Sequence, residues 1–164
     1  MARRVYFSFD YDRDVSRANV VRNSWVTKPD RQSAGFFDAA EREKVKKGGY
    51  TAIKRWIDEQ LIGTTVTVVL IGARTAASYW VKYEIKESFK RDNGILGIYI
   101  NNIANLKGRP DFKGRNPLDI IKVPERMKTS FSRMIPLSRI YPTYNWIDDN
   151  GYENMGNWIE IEAP

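Results

Sequence analysis

The residues of clearest chemical potential are Trp80 and Glu84, in the stretch Thr75-Ala-Ala-Ser78-Tyr-Trp80-Val-Lys-Tyr-Glu84-Ile85. A four-residue step on a helix stacks an indole above a carboxylate on one side. A fixed carboxylate opposes positive charge that develops during a reaction, and an indole face favours a cationic ring. Residue type and spacing do not suffice on their own. A tryptophan near a helix start ordinarily packs the core, and an isolated helical glutamate is ordinarily solvated.

The preceding residues supply the context. Thr65-Val-Thr-Val-Val-Leu-Ile71-Gly72 is rich in β-branched types and lacks polar alternation, which predicts a strand buried on both faces and ended by Gly72. Beyond it, Ala77, Val81, Ile85 and Phe89 form an apolar ladder, and Lys82, Lys86 and Lys90 a solvated one. Trp80 and Glu84 fall beside the apolar ladder, so Glu84 is expected to contribute little packing. The pair sits at the carboxyl end of a central strand, where open α/β sheets bind their ligands.

The other elements frame this unit. Residues 4–9 read as a first strand, followed by the acidic loop Asp10-Tyr-Asp12-Arg-Asp14, in which Asp12 or Asp14 can cap a helix carrying Ala18, Val21 and Trp25. Gly35-Phe-Phe37-Asp38 reads as a short second strand, and the charged residues 39–49 as a mobile loop over the carboxyl edge of the sheet. Ile53, Ile57 and Leu61 mark a helix that Gly63 terminates. Residues 95–100 supply a fourth strand, residues 139–141 a last one, and residues 152–162 a terminal helix docked by Met155, Trp158 and Ile159. Such alternation predicts a parallel sheet with helices on both faces. Residues 101–138 hold four of the seven prolines without a period, and are expected to be loops with short helical or strand fragments.

Composition narrows the chemistry. At 164 residues the chain fits one domain, with the segment 101–138 as an irregular insertion. It has neither cysteine nor histidine, so chemistry must rest on carboxylates, hydroxyls, lysines or backbone groups. The absence of cysteine suits a reducing cytoplasm. The opening residues read as a strand rather than a signal peptide, and no window approaches a membrane span, so a soluble cytoplasmic protein is expected. The net charge of +7 favours anionic partners. With basic residues scattered and no recognition helix, a generally basic surface is preferred over a nucleic-acid site, and such a surface would equally suit a phosphate-bearing small molecule.

Four of these pieces resemble the TIR (Toll-type receptor) domain superfamily, and more closely the TIR-like proteins of bacterial Thoeris antiphage systems. Val5-Tyr-Phe-Ser8-Phe-Asp10-Tyr-Asp12 is similar to their first strand and loop, and Gly35-Phe-Phe37-Asp38 to the second strand leading into the so-called BB loop. The strand ending at Gly72 followed by Ser78-Tyr-Trp80-Val-Lys-Tyr-Glu84 resembles the diagnostic Ser-x-Trp-x-x-x-Glu stretch. Tyr144-Asn-Trp146 through Trp158-Ile159 is similar to the end of Thoeris chains. Residues 101–138 match nothing in that pattern.

The resemblance implies a flavodoxin-like or TIR-like α/β fold of about five parallel strands. It also implies an enzyme that cleaves the nicotinamide–ribose bond of NAD as substrate, with no separate cofactor. Its product is a cyclic ADP-ribose-type signal for a downstream effector in antiviral defence, and self-association is common in such domains. Matched by motif, Glu84 is the catalytic residue and Trp80 its aromatic neighbour. Ser8, Phe9, Asp10 and Tyr11 become candidates to line the nucleotide pocket, and Phe37 and Asp38 lead the loop that gates it. Each also has an ordinary reading as a strand-end cap, core residue or turn former. Lys46-Lys47-Gly48-Gly49 is at best a loose phosphate cradle, since it lacks the Gly-Lys-Ser/Thr ending. The alternative function is a non-enzymatic interaction module built on the same sheet.

Overall fold

A strand without polar alternation must be covered on both faces, and the chain provides that cover by alternating strands with helices. The computed structural model describes residues 3–36, 39–125 and 133–164. In chain order they form β1 (Arg3–Ser8), α1 (Tyr11–Val26), β2 (Arg31–Ala34), α2 (Ala39–Lys47), α3 (Gly49–Leu61), β3 (Val66–Ile71), α4 (Tyr79–Lys90) and β4 (Gly94–Tyr99). There follow α5 (Pro117–Ile120), β5 (Lys122–Pro124), β6 (Met134–Pro136), β7 (Thr143–Asn145) and α6 (Gly151–Glu162). Five strands make one sheet in the order β2-β1-β3-β4-β7, and every pairing in it is parallel. The expected α/β sheet with helices around it is therefore present. All six residues of β3 are buried, as its composition predicts.

The two faces bury different sets. Val5, Phe7, Val66, Val68, Leu96 and Ile98 pack against Ala18, Val21 and Trp25 of α1 and Met155, Trp158 and Ile159 of α6. On the opposite face Val69, Ile71 and Ile95 meet Val81 and Ile85 of α4, while Tyr6 meets Ile57 and Leu61 of α3. The polar member of β3, Thr67, is satisfied by the Ser88 hydroxyl at 2.7 Å, and Ser88 also donates to the Glu84 carbonyl at 2.7 Å. Buried polar groups must be paired, and this pairing fixes the height of α4 on the sheet.

Several expectations change. The second strand is Arg31–Ala34, ahead of the expected position. Gly35 has φ +89°, and a Cβ there would lie 2.3 Å from the Phe7 carbonyl oxygen, so Gly35 turns the chain closely over β1 instead of extending it. Phe36 then packs on Phe7 and Phe9, with ring centroids 5.7 and 4.9 Å away. Residues 39–47, expected as a loop, form α2. Neither Asp12 nor Asp14 caps α1; both lie inside its first turn, and Asp10 precedes it. Ala77 belongs to a short 3-10 turn and is exposed, so the ladder of α4 begins at Val81. Residues 137–139 form a 3-10 turn, and the last strand is β7, beyond Pro142.

Within residues 101–138 the described part is a loop, α5 and the antiparallel pair β5–β6. An ionic cluster holds its first portion to α1. The buried Arg17 guanidinium donates to the carbonyls of Ile103 at 2.8 Å and Arg109 at 3.1 Å, and lies 3.3 Å from buried Asp14. Arg13 grips Asp111 through two hydrogen bonds of 2.7 and 2.9 Å. Burial, the larger effect, raises the Asp14 pKa to about 6 against the pull of Arg17. Among the described residues no helix is long and apolar enough to cross a membrane.

Candidate active site

Glu84 is placed by the start of its helix. The Thr75 hydroxyl accepts from the Gly72 amide at 2.7 Å, closing the turn out of β3, and the Ser78 side chain caps α4 by accepting from the Val81 amide at 3.2 Å. Trp80 then falls in the first turn and Glu84 in the second, beside the point where the chain switches from one side of β1 to the other. In a sheet of this strand order that switch point is the ligand crevice.

Glu84 is only 7 % exposed. It shares the buried side of α4 with Val81, Ile85 and Ser88, which corrects the expectation that it would contribute little packing. Its carboxyl faces the hydroxyls of Tyr6 and Ser8, which alternate on one side of β1 and are both fully buried. Burial pushes the Glu84 carboxyl up to about 8, while the two hydroxyls pull the other way. The Tyr6 phenol is likewise held well above its ordinary range, first by burial and then by Glu84. Among the described residues neither hydroxyl closes a well-aligned hydrogen bond, so the group each one faces is the Glu84 carboxyl. No ion pair neutralises Glu84 among the described residues.

Above this floor lies a cleft of about 150 Å³. A cavity of that size accommodates about one benzene-sized ring. Tyr6, Phe9, Ile57 and Glu84 form its buried part, and the less buried Tyr11, Trp56 and Trp80 form its walls. Trp80 is embraced by Tyr50, Tyr79 and Tyr83 at centroid distances of 5.0, 5.0 and 5.6 Å. Tyr83 donates to Asp58 at 2.6 Å, tying α4 to α3. On the far rim, α2 brings Arg42 and Lys46 to Asp12, while the Trp56 indole N–H donates to Glu41 at 3.2 Å.

The structure thus brings together Glu84, Trp80, Ser8, Phe9 and Tyr11 of the expected site residues. Asp10 does not line the cleft; its carbonyl accepts from the Asp14 amide in the first turn of α1. Phe37 and Asp38 lie outside the described residues. Sequence reasoning missed Tyr6, Asp12, Arg42 and Trp56 as cleft residues. The two-residue alternation of a strand, which puts Tyr6 on the same face as Ser8, was the signal for the first of them. Lys46 does reach the cleft, but from a helix and not from a glycine cradle. Among the described residues no cluster of three or more acidic groups is arranged to hold a metal ion.

A carboxyl without a cation, an aromatic box and two buried hydroxyls facing that carboxyl at a β1/β3 switch point suit stabilisation of a positively charged sugar. The model of the Thoeris protein ThsB TIR-like domain matches residues 6–105. This chain belongs to the Thoeris ThsB TIR-like family. A ThsB relative from Bacillus cereus (strain MSX-D12), provisionally named cyclic ADP-D-ribose synthase ThsB1, is 36 % identical over 194 aligned residues. The alignment covers 97 % of this chain and all of the relative. The family match takes in the whole cleft, from Tyr6 through α2 and Trp80 to Glu84.

Proposed function

We propose that this ThsB-family chain cleaves the nicotinamide–ribose bond of NAD and closes the remaining ADP-ribose into a cyclic signal. Glu84 is its catalytic carboxylate and Trp80 flanks the departing ring. The single observation that carries this reading is the Glu84 carboxyl, buried and free of ion pairs among the described residues, facing an aromatic-lined cleft. The name borne by the Bacillus cereus relative supports the same chemistry.

The step needs no transition metal and no strong acid. When the bond between the anomeric carbon and the pyridine nitrogen breaks, its electron pair leaves with nicotinamide, which departs neutral. The ribose becomes oxocarbenium-like, and a nearby carboxylate stabilises that charge. A nucleophilic atom of the same ADP-ribose then attacks the anomeric carbon to close the ring, and any proton it carries passes to solvent. Water in its place gives free ADP-ribose. The Tyr6 and Ser8 hydroxyls stand beside the carboxylate, where they can hold it against rotation. The pyridinium of bound NAD is an opposite charge that draws the Glu84 pKa down, so binding favours the ionised form.

The product is a diffusible nucleotide, which addresses a downstream effector in antiphage defence. NAD serves as substrate, with no separate cofactor. The reading is tested by incubating the purified chain with NAD, alone and in lysate of phage-infected cells, and following nicotinamide and cyclic product by mass spectrometry. Release of both is expected. Absence of turnover in infected lysate, with a stable protein partner co-purifying, would favour an interaction module, and sizing chromatography of the same preparation reads self-association.

A further inference from the structure

Asp12, Arg42 and Lys46 form an ionic cluster at the rim of the cleft that the chemistry at Glu84 does not use. The cleft holds about one ring, so most of any dinucleotide seated at Glu84 must lie outside it, and Asp12, Arg42 and Lys46 border its opening. Arg42 and Lys46 are one turn apart on α2 and converge on a single carboxylate oxygen: Arg42 pairs with Asp12 Oδ1, and Lys46 Nζ lies 3.8 Å from the same atom. The Arg42 guanidinium also rests 4.4 Å from the centre of the Tyr11 ring, with its side chain only 20 % exposed, so the fork is held in place. Two cations on one carboxylate leave a local charge of +1. Asp12 itself is 71 % exposed and can swing into water, and ion pairs so exposed contribute little.

We propose that Arg42 and Lys46 bind the pyrophosphate of a dinucleotide substrate, and that Asp12 is an internal anion that occupies their site while the cleft is empty. This rests on the dinucleotide reading of the cleft. A guanidinium fork matches phosphate oxygens bidentately and an ammonium adds a point charge, so a dianionic pyrophosphate displaces the single carboxylate. Substrate entry thereby exchanges α2's contact with Asp12 for a contact with the ligand.

The test is calorimetric titration of the full chain with ADP-ribose and with nicotinamide riboside, which lacks the pyrophosphate. Arg42→Ala and Lys46→Ala are each expected to weaken ADP-ribose binding tenfold or more, with nicotinamide riboside binding changed less than twofold. Asp12→Asn is expected to tighten ADP-ribose binding severalfold. The proposal is overturned if the parent does not bind ADP-ribose, if both alanine variants bind it like the parent, or if they lose both ligands equally. ADP-ribose binding that depends on Arg42 in a chain that never turns over NAD would support this site and sink only the enzymatic reading. Turnover that persists with ADP-ribose binding indifferent to Arg42 would do the reverse.

Discussion

Replacing Glu84 by glutamine turns the burial of one carboxyl into a measurable slope. In the unfolded chain this group titrates in the ordinary glutamate range, about 4.3. In the folded chain burial raises it to about 8. The sign follows from proton counting. Above the unfolded pKa the native state still holds a proton that the unfolded chain has released, so stability is fully present below that pKa and is lost as pH rises toward the folded value. Each pH unit costs about 1.4 kcal/mol, which accumulates to roughly 3–4 kcal/mol between pH 5 and pH 8. Glutamine has the shape of the protonated acid and does not titrate. Urea unfolding of both proteins at pH 5, 6, 7 and 8 is therefore expected to give curves that lie within about 1 kcal/mol of each other at pH 5 and separate as pH rises, with Glu84→Gln the more stable. A stability difference independent of pH would refute the reasoning, because it would mean that the carboxyl does not keep its proton in the folded chain.

Other consequences follow from the same geometry. The carboxylate is the active form, so kcat/KM for NAD should rise about tenfold per pH unit below 8 and level off above it, while kcat titrates at lower pH because the bound pyridinium favours ionisation; a flat profile from pH 6 to 9 counts against Glu84. Arg17→Ala removes the cation beside fully buried Asp14 and two bonds to the loop carbonyls, at a cost of about 3–5 kcal/mol by urea unfolding at pH 7. Part of that loss should be recovered at pH 5, where Asp14 takes up a proton; equal losses at both pH values would contradict the assignment. Ile85→Ala, at a fully buried position of α4 against the sheet, should cost about 2–5 kcal/mol in the same assay.

The parts of the fold that were legible in the sequence are those whose burial is two-sided or regular. Strand β3 and the ladder of Val81, Ile85 and Phe89 announce themselves because a central strand and an amphipathic helix leave periodic apolar signals. Edge strands do not. Arg31–Ala34 and Thr143–Asn145 are short, polar and partly exposed, and in both cases the conspicuous apolar residues lie outside the strand, at Phe36 against Phe7 and Phe9 and at Ile140 and Tyr141 ahead of Pro142. Helix α2 has no apolar stripe; Glu41 on Trp56 and Arg42 on Asp12 and the Tyr11 ring tie it to its neighbours, contacts that periodicity cannot reveal. The loop after β4 is likewise held by Arg17 and Asp111 and not by a hydrophobic pattern.

The candidate site divides in the same way. Glu84 and Trp80 were readable because both lie on one helix at fixed spacing. Tyr6 and Ser8 come to Glu84 across the β1–β3 pairing, and Trp56 comes from a helix on the same face. Such convergence depends on strand order, which is a tertiary property. Glu84 packs more than its place beside the apolar ladder suggested, because Tyr6 and Ser8 of β1 face its carboxyl, a contact that helix spacing alone does not show.

The most direct measurement compares nicotinamide release from NAD by the parent chain and by Glu84→Gln in the same phage-infected lysate, with both proteins shown to be folded by their urea midpoints. Release by the parent and loss of at least a hundredfold in the variant are expected, alongside equal or greater stability of the variant at pH 8. Release by Glu84→Gln at the parent rate would contradict a catalytic role for the buried carboxyl.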